Sequence, residues 1–493
     1  MSTNRLIVSA DQGKTKISRH IYGHFAEHLG RCIYEGLWVG PESPIPNTRG
    51  FRNDVVAALR ALNMPNLRWP GGCFADTYLW TDGIGPREKR PSIVNVHWGG
   101  TIENNHCGTH EFMDLCEQLS TPSSVCEPYI CGNVGSGSVR EMAQWLEYLT
   151  MPGQSPMADL RRRNGREQAW PIKYWAVGNE NWGCGGNMRA EYYADLYRQY
   201  ASYCRNFTPG SKLYKVACGH SFDWNDTLLR LAGEFIDGLS VHHYVMPGSG
   251  SSRGSATDFT KQEWVTTMTR AWGLRWFLDR NETIMDRHDP DCHIGMIVDE
   301  WGTWFDVEPG TNPGHLYQQN TMRDALVASL SLDVFNNFAH RVHMANIAQT
   351  VNVLQAMVLT DASRMLLTPT YHVFEMFKVH QDATLLPSIM ECSDFAPGAP
   401  VLSGSVSRDK AGRTHVSLSN LHHEEGADVA CELNKVTFSS VTGRLLTSPS
   451  INTFNTFDHP NVIAPTSFSS FKKTDLGLAV TLPPRSVVVL ELS

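Results

Sequence analysis

The chain reads as an α/β protein in which a (β/α)8 TIM barrel is followed by a C-terminal antiparallel β-sandwich of jelly-roll-like form. Three observations predict this. Eight short β-branched or aromatic runs recur between residues 17 and 377. Longer segments of helical period separate them. From about residue 384 the texture changes to period-2 segments broken by Gly, Pro, Asn and Asp. The expected division is a barrel over 17–380 and a sandwich built from 1–16 plus 381–493, because RLIVSADQGKTKI at the start also alternates around a turn.

The eight runs are IYGHF from Ile21, NLRWPGG from Asn66, SVCEPYIC from Ser124, IKYWAVGNE from Ile172, YKVACGH from Tyr214, GLSVHHY from Gly238, IGMIVDE from Ile294 and RVHMANIAQ from Arg341. Eight parallel strands close a barrel. Helices are expected over 52–63, 109–119, 138–149, 189–207 and 316–338, where apolar residues recur at three and four and would face the barrel. The sandwich strands are VLSGSVSR, THVSLSNLH, DVACEL, LAVTLPP and SVVVLELS. RGFRNDVV and GSGSSRGSATD read as loops, the latter a lip after the sixth strand.

The 493 residues carry 42 Lys+Arg against 50 Asp+Glu, a formal charge of −8, so no basic face is implied and nucleic acid is excluded as an expected partner. No apolar stretch approaches the roughly 20 residues that cross a bilayer, so no membrane is expected either. MSTNRLIVSADQGK lacks an apolar export core, which makes a cytoplasmic location the expectation. The twelve cysteines are scattered without CxxC pairs and read mostly as buried thiols.

The active site of such a barrel lies at the C-terminal strand ends. Those ends carry Glu27, Cys73, Cys131, Glu180, His220, Tyr244, Glu300 and Gln349. Two are glutamates closing apolar runs, WAVGNE and MIVDE, and 300 − 180 places them 120 residues apart. At roughly 40 residues per βα unit that is strand four against strand seven, across the barrel mouth. Paired carboxylates facing one another suit glycosidic cleavage, one to protonate the leaving oxygen and one to attack or stabilise the anomeric centre. Asn179, beside the first glutamate, supplies an amide for a sugar hydroxyl.

WAVGNENWGCGG (175–186), IVDEWGTW (297–304), IYGHFAEHLGRCIYEGLW (21–38), LRWPGGCFADTYLWTDGIGPR (67–87) and MANIAQTVNVLQAM (344–357) closely resemble glycoside hydrolase family 51, the α-L-arabinofuranosidases. The resemblance runs in order through the whole chain to LPPRSVVVLEL. It implies a retaining, exo-acting hydrolase that releases terminal α-L-arabinofuranosyl residues from arabinoxylan- or arabinan-derived oligosaccharides, without a cofactor or metal, and a homo-oligomer, often a hexamer. By the same resemblance Glu180 is the general acid/base and Glu300 the nucleophile. Glu27, Asn179 and Gln349 hold furanose hydroxyls, and Tyr244 stands by the nucleophile. Cys73 contributes a weak hydrogen bond or packing, and His97 and Trp98 fold over the pocket. The acid role requires a raised pKa at Glu180, and retention requires carboxyl groups about 5 to 5.5 Å apart.

Other readings are an endo-acting glucanase or xylanase or a β-xylosidase on the same barrel, a non-catalytic sugar-binding protein, and a metal-dependent sugar isomerase. Loops around Trp98, Trp182 and Trp304 closing over one terminal sugar favour exo action. His20, His24 and His28 recur every four residues on a strand, which does not gather three rings at one point. Asp286, His288, Asp289, Asp291, Cys292 and His293 precede strand seven and read as a solvated loop at the opposite end from the site. His242 and His243 alternate in facing, so at most one enters the site.

Overall fold

A computed structural model describes residues 4–248 and 252–493, so residues 249–251 of the expected lip after the sixth strand, and residues 1–3, lie outside the described residues. Eight strands form a closed barrel in chain order: Gly23–Phe25, Asn66–Trp69, Glu127–Gly132, Tyr174–Val177, Tyr214–Cys218, Gly238–Val245, Gly295–Thr303 and Val342–Ala348. Every neighbouring pair is parallel, and the eighth strand closes on the first. Each overlaps one of the eight sequence runs, and three extend beyond it, to Gly132, Val245 and Thr303. Helices cover the outside of these strands, which is why YWAV is buried at all positions and reads as a continuous apolar run. Inside, Tyr129, Cys131, Tyr174, Ala176, Val216, Ile297 and Met344 form a cluster that fills the lumen beneath the mouth.

Helices Asn53–Ala61, Thr109–Leu119, Val139–Thr150 and Ala190–Tyr203 lie where the apolar period places them. Ser138 and Glu141 start the third as a capping box, the hydroxyl accepting from Glu141 N at 3.3 Å and the carboxylate from Ser138 N at 2.6 Å. The segment expected as helix from 316 begins instead at Met322, because Thr321 and Asp324 cap it there. Helices Pro156–Arg163, Phe222–Ala232, Lys261–His288 and Pro369–Phe377 were not expected from the sequence. The 28-residue one escapes periodicity because its buried stripe includes Thr267 and Asn281 while its outer face carries Trp276, 60% exposed.

Of the group expected as a solvated loop, Asp291 and His293 are exposed in the turn before strand seven, whereas the residues from Asp286 to Asp289 are helical or buried. Asp286 and His288 belong to the last turn of helix Lys261–His288, and His288 pairs with Asp226 at 2.9 Å. Asp286 and Asp289 clamp the fully buried Arg341 at 2.7 and 2.8 Å, bracing the N-terminal ends of strands seven and eight. Paired charges at that depth need both partners.

The C-terminal region packs a five-stranded sheet, in the order Ser388–Glu391, Asn4–Ser9, Ala427–Asn434, Gly477–Leu482 and Phe471–Thr474, on a six-stranded one. The second sheet runs Thr384–Leu385, Leu402–Arg408, Thr414–Asn420, Ser486–Leu492, Val441–Leu446 and Thr466–Ser467. Pairing is antiparallel except between Asn4–Ser9 and Ala427–Asn434. Leu6, Val8, Val416, Leu418, Val429, Val480 and Leu490 fill the space between the sheets. The serines of LSGSVSR and THVSLSN face the barrel instead of solvent: Ser403, Ser405 and Ser417 donate to Asp333 at 2.9, 2.8 and 2.7 Å. That carboxyl sits on helix Met322–Asn337, buried from Met322 to Asn336 between barrel and sandwich. Among the described residues no helix is long and apolar enough to cross a membrane.

Candidate active site

A cavity of about 450 Å³ opens at the C-terminal ends of the barrel strands. Glu27, Cys73, Trp98, Glu180, Tyr244, Glu300 and Gln349 line it, together with Trp182, His220, His242 and Trp304. Of the sequence-derived residues, Asn179 lies just beneath the wall and His97 lies outside it.

Glu300 lies within strand seven, and its register partner on strand six is His242. Side chains alternate along a strand, so Ser240, His242 and Tyr244 enter the mouth together while His243 turns outward against Phe277. Register shifts between Ser240 and His242, and between Val298 and Trp301, break the alternation and let two consecutive acids, Asp299 and Glu300, face inward. Glu300 Oε1 accepts from Arg68 Nη1 at 2.8 Å and Oε2 from Tyr244 Oη at 2.9 Å. Arg68 is 1% exposed; its other nitrogens reach Asn179 Oδ1 at 2.6 Å and Asp299 at 3.5 Å. Such a fork fixes the orientation of a carboxylate.

Gly72 packs directly against the Glu300 carboxylate. A Cβ there would stand 2.6 Å from Glu300 Oε1, closer than atoms can approach. Its neighbouring amides also hold Glu27, whose Oε1 accepts from Gly72 N and Phe74 N at 3.1 Å and from Trp98 Nε1 at 2.9 Å, and whose Oε2 accepts from Gln349 at 3.1 Å. Burial and the charge of Glu300 nevertheless push the Glu27 carboxyl up to about 7.

Glu180 adopts φ +43°, the left-handed region that costs a side-chain-bearing residue energy. The turn is pinned by buried Asp76, which accepts from the amides of Val134, Gly135 and Asn179 at 2.7 to 2.8 Å. Glu180 Oε1 meets His242 Nδ1 at 2.9 Å, and a second imidazole contact reaches Glu300 at 3.6 Å. Burial opposes the imidazolium, but Glu300, Asp299 and Glu180 outweigh it and raise His242 to about 10. Burial would raise Glu180, yet the bond and charge of His242 hold it below the ordinary carboxyl value. The expectation of a raised pKa at Glu180 is therefore corrected: the bond and charge of His242 lower it, and the two groups titrate as a pair.

Cys73 is not a packed thiol. It forms a disulfide with Cys184, their Cα atoms 5.5 Å apart, and the two sulfurs lie 3.8 and 3.4 Å from Glu180 Oε2. The other ten cysteines are free, eight of them buried.

Three groups at the wall keep unused hydrogen-bonding capacity among the described residues: Asn179 Nδ2, Gln349 Oε1 and Trp304 Nε1. Buried polar atoms are rarely left unpaired, so a polar ligand is the natural partner. Trp182 stacks on His220 at 3.8 Å, and Trp304 lies edge-on to Tyr244 at 5.1 Å, giving apolar faces beside that polar floor. Donor atoms of Glu180, His242 and Glu300 lie within 4.8 Å of one another, close enough to surround an ion. Both nitrogens of that imidazole already face carboxylates, Nδ1 facing Glu180 at 2.9 Å and Nε2 facing Asp299 at 3.4 Å. The three spaced histidines diverge: His20 pairs with Glu127, His24 abuts Phe374 and His28 pairs with Glu103.

Sequence order conceals Arg68 and Asp299, which lie before the strand ends; of His242 and His243, of which at most one was expected in the site, the structure places His242 there. The disulfide has no spacing signature across its 111-residue separation.

The models described as "Alpha-L-arabinofuranosidase 1 domain" and "Alpha-L-arabinofuranosidase C-terminal domain" match residues 58–247 and 299–486. The chain is 52% identical, over 99% of its length and 95% of the relative's, to an "Intracellular exo-alpha-L-arabinofuranosidase" of Bacteroides ovatus. A crystal structure of a GH51 arabinofuranosidase from Xanthomonas axonopodis pv. citri superposes with a TM-score of 0.96 at 46% identity, covering 99% of this chain and all of that one. An arabinose complex of the Thermotoga maritima α-L-arabinofuranosidase gives 0.88 at 30% identity, covering 99% of each chain.

Proposed function

The chain belongs to the α-L-arabinofuranosidases of glycoside hydrolase family 51, and from that premise we propose a retaining, exo-acting hydrolase that releases terminal non-reducing α-L-arabinofuranosyl residues from arabinoxylan- or arabinan-derived oligosaccharides. The observation that carries the reading is that Glu180 and Glu300 present oxygens within 4.8 Å of each other at one cavity, with Glu300 oriented by Arg68 and Tyr244. That closeness favours direct attack over inversion, which places a water between carboxyl groups roughly 6.5 to 9.5 Å apart.

Glu300 attacks the anomeric carbon. The proton shared by Glu180 and His242 passes through Glu180 to the leaving oxygen, and Glu180 then takes a proton from the water that hydrolyses the glycosyl-enzyme. Asn179 and Gln349 hold furanose hydroxyls through the unused groups described above, and Glu27 does so through the carboxyl it presents at the cavity wall. Trp98, Trp182 and Trp304 wall the cavity, which supports action at a chain end over internal cleavage. We place the enzyme in the cytoplasm, as the Bacteroides ovatus relative is named intracellular, acting on imported short oligosaccharides as a homo-oligomer. Cell fractionation and light scattering test those two statements.

The decisive experiment hydrolyses 4-nitrophenyl α-L-arabinofuranoside, β-D-xyloside, α-L-arabinopyranoside and β-D-glucoside with wild type, Glu300→Ala and Glu180→Ala. Rapid release from the arabinofuranoside alone is expected, lost in Glu300→Ala. Glu180→Ala should spare glycosylation by good leaving groups and suppress it for poor ones. Equal loss for both classes refutes the acid role, and release from none of the four refutes the substrate.

A further inference from the structure

We propose that the reduced form of the Cys73–Cys184 pair, together with Glu180, is a binding site for one thiophilic divalent cation of the zinc class, and that the ion blocks proton transfer at Glu180. The site is described by geometry already in place. Cys73 opens the turn after strand two and Cys184 lies in the loop after strand four, with Glu180 between them. One donor atom from each of the three lies within 4.8 Å of the others. Around a tetrahedral zinc ion, with Zn–S about 2.3 Å and Zn–O about 2.1 Å, sulfur and oxygen stand about 3.6 Å apart. The two sulfurs are 3.4 and 3.8 Å from Glu180 Oε2. Only the sulfur-to-sulfur distance must open, and breaking the bond permits that through side-chain rotation. All three residues are half-buried, and Cys73 and Glu180 line the cavity, so water can supply the fourth ligand.

The chemistry balances without an unnamed participant. Two molecules of a small thiol break the disulfide, each cysteine sulfur gains a proton, and the two small thiols leave joined as their own disulfide. The cation then displaces both thiol protons to solvent and takes two thiolates and one carboxylate oxygen. A thiol-reducing compartment keeps the pair in the metal-binding form, whereas an oxidising one keeps the bridge and no site. The inhibitory half of the proposal rests on Glu180 being the proton donor; the binding half does not.

Cadmium serves as the probe because its thiolate complexes absorb in the near ultraviolet. Full-length enzyme, reduced by a small thiol that is then removed without oxygen, is titrated with Cd2+ while the charge-transfer band and the hydrolysis of a poor-leaving-group arabinofuranoside are followed. Air-oxidised wild type and Cys184→Ser are treated alike. The expected result is a band saturating at one ion per chain in the reduced wild type only, with activity falling at least about tenfold in step and returning on chelation. A reduced protein that shows two additional titratable thiols but no band overturns the site. So does a band of equal size in Cys184→Ser or in the oxidised wild type, which traces it to the other cysteines. A saturable band without loss of activity supports the ion site and overturns Glu180 as the proton donor.

Discussion

Replacing His242 with Gln tests the proton inventory of the site. The neutral amide keeps a polar group beside Glu180 but removes a charge that now faces Glu180 at 2.9 Å, Asp299 at 3.4 Å and Glu300 at 3.6 Å. At an effective permittivity of about 20, unit charges 2.9 Å apart interact by 332/(20 × 2.9), about 6 kcal/mol, a ceiling of roughly four pH units for the pair. In the wild type the transferable proton is held by an imidazole raised to about 10, so the basic limb of the kcat/KM profile lies far above neutrality. In the variant that proton can reside only on Glu180, where burial favours it and Arg68 opposes it. The basic limb should therefore move toward acid by up to about four pH units; at that ceiling it lies near 6, and the rate at pH 8 falls about 10²-fold and recovers as pH falls. The assay is the pH dependence of 4-nitrophenyl α-L-arabinofuranoside hydrolysis from pH 4 to 10 for both proteins. A variant whose basic limb is unmoved, or moves upward, refutes the assignment of the proton to this pair.

Gly72→Ala should lower kcat at least about tenfold with an unchanged melting temperature, because a Cβ 2.6 Å from Glu300 Oε1 must displace a carboxylate held by Arg68 and Tyr244. Trp98→Phe keeps the ring but deletes the 2.9 Å donor to Glu27, so KM should rise about three- to tenfold, consistent with one hydrogen bond to a charged group, with little change in kcat. Asp333 is pushed up to about 7 by burial despite its three serine donors. A carboxyl raised in the folded state contributes stability that is complete below its ordinary value of 3.8 and is lost as pH rises through about 7. Asp333→Asn should flatten the decline of melting temperature between pH 4 and 8, the change at Asp333 alone being worth up to on the order of 4 kcal/mol. An equal slope in both proteins would show that the barrel–sandwich interface is not the source.

The barrel was legible because parallel strands covered on both faces must be apolar runs, and YWAV and GMIV cannot be much else. The residues closing those runs converge on one cavity for the same reason: once strand ends are fixed, the mouth is fixed. Helix Lys261–His288 was not legible, since an outer face bearing Trp276 masks its buried stripe. Asp299 was hidden by the register shift that turns two consecutive residues inward, a departure from strict alternation that sequence does not record. Arg68 and His242 required register: each matters for what lies across from it, not for its own place in the chain. The disulfide required distance, as its two loops meet only when strands two and four are already in the barrel.

These omissions share a cause, and they alter the chemistry more than the list of residues suggests. From sequence the acids of the site are Glu27, Glu180 and Glu300; in the structure Asp299 joins them, and the four surround two cations, Arg68 and His242. In the proposed double displacement the first step removes the negative charge of Glu300 by esterification and takes one proton from the Glu180–His242 pair, so negative charge moves from one side of the cavity to the other and its sum is constant. The second step reverses both changes. A buried site cannot readily absorb a net charge, because the cost of burying an unpaired ion is several kcal/mol. Pairing the acid with an imidazole meets that constraint: Glu300, the largest of the influences that raise His242, loses its charge in the same step in which the pair gives up its proton. Arg68 need not move, since it spans Glu300 and Asp299 and keeps the second partner when the first is esterified.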